Sequence, residues 1–223
     1  MEGVRVIRHF AAFAMLAVVL SQTGCGLVVM AGKMFFGDPM YSSAFHSHTR
    51  VDLKKGQKKV LIVVSTPQGI KSDLPSLDFD LVDGIIQRLK RNGIEVVDPN
   101  EVTSWMDDNG GVWDDPSELA EEFDADYIAH FDLNQFSYKD AHSPSLLRGN
   151  VDGVVYTYEV MKKGDSKRAA SVFEGEFHST YPSRAGVSAA QVSEQVFRKR
   201  YVDRISTQLA QMLHDYRASE MLE

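Results

Sequence analysis

Cysteine is almost missing: Cys25 is the single one in 223 residues. A lone thiol cannot close an internal disulfide, and without a second cysteine the cysteine-rich zinc sites are excluded. Positive charge is also short. Lys and Arg number 24 against 31 Asp and Glu, a formal net charge of −7. That balance works against tight, sequence-independent binding to phosphate backbones, so nucleic acid is not an expected partner. Motifs that carry chemistry are missing as well: there is no Gly-x-Ser-x-Gly elbow, Gly-x-Gly-x-x-Gly turn, phosphate-binding loop or His-Glu-x-x-His helix. No nucleophile stands out, no catalytic residue or cofactor is assigned, and the chain is read as a non-enzyme.

What is present is an ordinary globular mixture, 43% hydrophobic and 25% charged, with room for one core domain. Ahead of it stands "MEGVRVIRHFAAFAMLAVVLSQTGC". Arg5 and Arg8 precede an apolar run from Phe10 to Leu20, followed by small and polar residues, the three parts of an export signal. The run spans about 16 Å as a helix, half of the roughly 30 Å hydrocarbon core. The close "TGC" resembles a bacterial lipobox, in which a peptidase cuts before a cysteine that carries diacylglycerol. Thr23 and Gly24 fit that pattern, and Gln22 stands where it usually has Leu. The resemblance implies a signal peptide over 1–24, lipidation (diacylglycerol and palmitate) of Cys25, and a membrane-anchored chain. Gly26, in place of the aspartate that marks inner-membrane retention in some bacteria, points towards the outer membrane and leaves the inner one open. An alternative is an uncut span, because no charge interrupts Phe10 to Gly32.

Residues 25–57 carry Gly, Pro and Ser punctuation without a sustained period and are expected as a tether. His46 and His48 would share a face if extended, but two ligands without further donors make no metal site. A single domain is expected over 58–217, with a short tail over 218–223. Val60 to Val64 predict a buried central strand. Leu81, Val82, Ile85, Ile86 and Leu89 predict a helix closed by Gly93. "IEVVDP" predicts a strand, and Pro99 and Pro116 open two short helices, the second capped by Asp115. "YIAHFDLNQFSY", "NVDGVVYTYEV" and "AASVFEGEFHSTYP" predict three strands, the last two joined by a turn at Gly164-Asp165. A helix over Val187 to Tyr216 carries Tyr201, Ile205, Leu209, Met212 and Tyr216 on one stripe. The fold class is therefore α+β, a mixed sheet of about five strands with helices packed on it.

Over roughly Lys58 to Tyr216, "KKVLIVV", "IEVVDPNEV" and "ELAEEFDADYIAHFDL" resemble the periplasmic domain class of CsgG-like secretion lipoproteins, LpoB-like activators of cell-wall synthases and the amino-terminal part of TolB. "GDPM", "VDPNEV", "DDNGG" and "SPSLLRG" look like uncharacterised planctomycete envelope lipoproteins. The resemblance implies a periplasmic domain serving envelope assembly, transport or activation of another protein, and it carries over no catalytic residues.

Alternation along the last three strands predicts a core face and a polar face. The polar one gathers His130, Asp132 and Asn134 with Thr157, Glu159, Glu174, Glu176 and His178. It is expected to dock an envelope protein partner. The alternatives are a metal-dependent hydrolase built on that face, or a structural homo-oligomer. "DDNGGVWDD" offers Asp107, Asn109, Asp114 and Asp115 as oxygen donors but lacks the spacing of a calcium-binding EF-hand loop. Arg198, Lys199 and Arg200 are read as the wet side of the last helix, or as a contact for anionic lipid headgroups.

Overall fold

The computed structural model describes residues 37–110, 113–140, 142–143, 145–164 and 166–221. The leader, the lipobox and Cys25 lie outside the described residues, as does Asp165. Two compact units are present. The smaller combines residues 37–40 with 217–221. Within it the Ala218 N–H donates to the Pro39 carbonyl over 2.8 Å and the Ser219 hydroxyl donates to Asp38.

The larger unit runs from Tyr41 to Tyr216. In chain order the elements are β1 (Met40–Tyr41), α1 (Ala44–Thr49), β2 (Lys59–Ser65), α2 (Gln68–Asp73), α3 (Leu77–Arg91), β3 (Glu95–Val96), α4 (Pro99–Asp108), α5 (Pro116–Glu122), β4 (Tyr127–Lys139), β5 (Leu146–Lys163), β6 (Ser166–Tyr181), β7 (Val187–Ser188), α6 (Glu194–Gln211) and β8 (Tyr216–Arg217). A short 3-10 turn over Ala218–Glu220 follows. Six strands form one sheet in the order β3-β2-β4-β5-β6, with β7 on the end of β5. The β2 strand pairs in parallel with β3 and β4, and the β4-β5-β6 meander is antiparallel. The fold is α+β with helices packed on a mixed sheet, as the element order implied.

One face of the sheet carries the main core. Tyr127, Ala129, Phe131 and Leu133 of β4 meet Leu81, Ile85 and Leu89 of α3 and Tyr201, Ile205 and Leu209 of α6. Close approach of α6 depends on a missing side chain. A Cβ on Gly149 would stand 2.4 Å from the Tyr201 ring, so the strand is bare where the ring lies on it. The opposite face is sealed over only part of its width, where Leu61, Val63 and Ile128 meet Val102 of α4 and Leu119 and Ala120 of α5.

Local chemistry explains the helix ends. Asp98 and Asp115 accept the Asn100 and Ser117 N–H groups ahead of Pro99 and Pro116, which open α4 and α5. Gly93, at φ 78°, follows the Asn92 cap of α3 in a conformation that favours glycine.

Three expectations need correction. The segment 41–57 belongs to the larger unit: Ser43 caps α1, and Phe45 and Leu53 are fully buried in the main core. The last helix starts at Glu194, where Ser193 caps it, so Val192 precedes it; Tyr216 lies beyond it in β8. His46 and His48 stand two apart on a helix and do not share a face; the His48 ring packs edge-on against Phe173. No helix among the described residues is long and apolar enough to cross a membrane.

Candidate functional site: the open part of the sheet

Where α4 and α5 stop, the same face of β4, β5 and β6 continues as rows of side chains set by cross-strand register. His130 stands beside Tyr156 and Glu174, Asp132 beside Val154 and Glu176, and Gln135 beside Asp152 and His178. Asn150 and Thr180 make a further pair. Directly paired residues in an antiparallel ladder share a face, so these rows form one surface bearing Asp132, Asp152, Glu174 and Glu176. Val154 belongs to neither core cluster. The surface is acidic, and Glu174, Glu176 and His178 are exposed.

Its two imidazoles differ. His130 Nε2 lies 2.9 Å from Ser65 Oγ, the Trp113 ring meets it edge-on at 4.8 Å, and Tyr156 stacks at 6.0 Å. Burial pushes its pKa below the usual 6.5, against the weaker pull of Asp132, which holds the ring neutral near pH 7. His178 is exposed. Its Nδ1 lies 2.5 Å from Asp152 Oδ1 and its Nε2 3.3 Å from Thr180 Oγ1, while the Thr180 hydroxyl donates to Asn150 Oδ1 over 2.9 Å. This line of carboxylate, imidazole and hydroxyl lies on the exposed part of the sheet. The two histidines sit on strands two spacings apart, roughly 10 Å, and two rows out of register. One ion with bonds of about 2.1 Å does not span them.

Five of the eight residues expected on the polar face meet there: His130, Asp132, Glu174, Glu176 and His178. Three do not. Thr157 pairs with Ala129 and Phe173 on the main-core side, is 1% exposed, and its hydroxyl finds no partner among the described residues. Glu159 pairs with Tyr127 on that same side; burial, reinforced by Glu159, pushes the Tyr127 hydroxyl up to about 12. Asn134 is the extra residue of a β-bulge between Leu133 and Gln135. It lines a groove of about 660 Å³ with Pro67, Ile70 and Phe136. Asp152, Val154, Tyr156 and Gln135 were missed. Placing Thr157 and Glu159 on the polar face puts Asp152, Val154 and Tyr156 on the other, and the observed register reverses that parity.

The acidic loop is used structurally where it is described: Asp115 caps α5, and Asn109 Nδ2 donates to the Trp105 carbonyl over 2.8 Å. Among the described residues, the three-donor gathering of His, Cys, Asp and Glu is His46, Asp52 and Asp215, away from this face.

No protein-family model and no curated protein matches the sequence. Similar solved structures include a PelC dodecamer from Paraburkholderia phytofirmans, at 13% identity over 79% of this chain and 97% of that one, with a TM-score of 0.43. The lipoprotein GNA1162 from Neisseria meningitidis is 12% identical over 67% and 96%, with a TM-score of 0.38. A minor lipoprotein from Acinetobacter baumannii is 12% identical over 71% and 93%, with a TM-score of 0.31. These neighbours supply no link to the CsgG, LpoB or TolB classes or to planctomycete proteins, and at such scores the fold rests on its own topology.

Proposed function

We propose that this protein is an exported, lipid-anchored envelope protein that presents the open rows of β4, β5 and β6 to another envelope protein, in envelope assembly, transport or regulation of a cell-wall synthase. The anchor is Cys25 and the domain stands in the periplasm. One observation carries the docking surface: a single sheet face is sealed by α4 and α5 over Leu61, Val63 and Ile128, whereas among the described residues Asp132, Val154 and Glu176 join neither core cluster and Glu176 is exposed. Antiparallel sheets tolerate a solvated face, so the acidic rows cost the fold little. Four carboxylates at fixed spacing favour a basic partner surface. In this reading the protein is not an enzyme: the His130 imidazole is engaged by Ser65 and packed against Trp113, and the His178–Asp152 pair is open to water.

The test is a photo-crosslinking side chain placed at Glu176 in the full-length protein in its own cells, with Lys90 on α3 as the control position. Capture of one envelope protein from 176 and not from 90 is the expected result. Equal capture from both positions sinks the docking surface, and capture of the chain by itself from 176 replaces the partner with a homo-oligomer. Mass spectrometry of the native amino terminus tests the anchor: an intact Met1 and an unmodified Cys25 would overturn it.

A further inference from the structure

Three segments meet beside the end of α6, on a different part of the larger unit. His46 comes from α1, Asp52 from the turn that follows it, and Asp215 from the chain just past α6. Their placement follows from main-chain bonds: the Phe45 N–H donates to the Met212 carbonyl over 3.0 Å, and the Ser43 N–H donates to Asp215 Oδ1 over 2.9 Å. With Phe45 fully buried, α1 is pinned against the end of α6. Nδ1 of His46 then lies 2.9 Å from each carboxylate oxygen of Asp215. Asp52 Oδ1 is held by the Lys54 and Lys55 N–H groups, at 3.1 and 3.0 Å, which leaves Oδ2 free of the backbone. One ligand atom from each of the three side chains falls within 4.8 Å of the others, and all three residues are half-buried. A cation already sits at the edge of this group: Lys55 Nζ is 3.0 Å from Asp52 Oδ2. The hydrogen bond to Asp52, with the charges of Asp52 and Asp215, raises the Lys55 pKa.

We propose that His46, Asp52 and Asp215 form a site for a divalent transition metal, which replaces the Lys55 ammonium and clamps α1 to the end of α6. One imidazole nitrogen and two carboxylate oxygens are a donor set that zinc accepts at about 2.0–2.2 Å. Tetrahedral donors at that length stand roughly 3.4 Å apart, so separations of up to 4.8 Å close by as much as about 1.4 Å. The Lys55 side chain is 82% exposed and returns to water at little cost when a metal displaces it. Three protein donors leave a tetrahedral ion one position for water. On a nitrogen and oxygen donor set zinc binds more tightly than manganese.

The experiment is calorimetric titration of the metal-free, full-length protein with zinc chloride, with thermal melts of every variant before and after metal. Wild type takes up one zinc per chain with a rise in melting temperature, and manganese binds more weakly. His46→Gln and Asp52→Asn lose the event; the asparagine retains a carbonyl oxygen for the Lys54 and Lys55 N–H groups, so a normal melt without metal separates lost ligation from lost fold. Lys55→Ala binds zinc more tightly than wild type. Absence of uptake in both wild type and Lys55→Ala overturns the site, as does uptake unchanged by His46→Gln and Asp52→Asn, which would assign the metal to other histidines.

Discussion

Leu61, Val63 and Ile128 share a sheet face with Asp132, Val154 and Glu176, yet the first group is sealed under α4 and α5 and the second carries no core cluster. The difference lies in side-chain chemistry rather than in the backbone, because β4 contributes Ile128 to the one and Asp132 to the other within five residues of one strand. Apolar rows attract a helix by burying area, at roughly 25 cal/mol per Å². Rows with a carboxylate in each would strand charge under one. One face of a single sheet therefore supplies cohesion in one part and exposed polar rows in another.

The comparison breaks most visibly in the cores. Phe131→Ala, in the main core, should cost about 3–5 kcal/mol, and Leu119→Ala, under α5, about 2–5 kcal/mol. Both side chains are fully buried. Urea unfolding followed by circular dichroism reads the loss. If Leu119→Ala were neutral, α5 would not seal its share of the face, and the contrast with the open rows would vanish.

A smaller effect of opposite sign is expected at Thr157. Its buried hydroxyl lacks a hydrogen-bond partner among the described residues, and an unsatisfied buried polar group costs about 1–3 kcal/mol. Thr157→Val should raise stability by about 1 kcal/mol in the same assay. A loss instead would mean that the hydroxyl is satisfied and belongs with the polar residues after all.

That threonine also marks the limit of what was legible in the sequence. Pro99, Asp115 and Gly93 could be placed because capping is local: each acts on N–H or carbonyl groups within a few residues. The parity of β5 is not local. Tyr156, Tyr158 and Val160 look like a core side, and Gly153 and Thr157 do not, but the small residues are the ones that face the main core, where α6 lies close enough to touch Gly149 through Tyr201. Assigning the faces of β5 needs the partner helices. The same holds for α1, six residues long with one buried side chain: Phe45 has no periodic neighbours, and its burial comes from distant elements, Tyr127 and Phe173.

His130 stands at the seam between the sealed and open regions and gives the comparison a pH dependence. Burial lowers its pKa in the folded protein, whereas the unfolded chain protonates near 6.5. The unfolded state then binds more protons between the two values. Stability is complete above about pH 6.5 and falls as the pH drops towards the folded value, by at most about 1.4 kcal/mol per pH unit. His130→Gln should flatten that part of the profile. Unfolding midpoints measured from pH 7.5 to 5 in wild type and variant decide it; identical profiles would show that the imidazole is solvated and that Trp113 does not shield it.

The smallest effect on folding is expected where the largest effect on docking is. The His178–Asp152 pair has side chains 66% and 45% exposed, and a polar pair so open to water is worth about 0–1 kcal/mol. Glu176 is exposed as well and forms part of the same polar surface. His178→Ala and Glu176→Ala should each leave the unfolding free energy within about 0.5 kcal/mol of wild type. The double variant should stay within about 1 kcal/mol of wild type. Crosslinking from a neighbouring position, Glu174, should nevertheless be lost in the double variant if these rows hold a partner. A double variant that unfolds easily would make the rows structural. One that folds normally and still crosslinks would move the docking surface off this face, and in either case the two parts of the sheet would no longer differ in purpose.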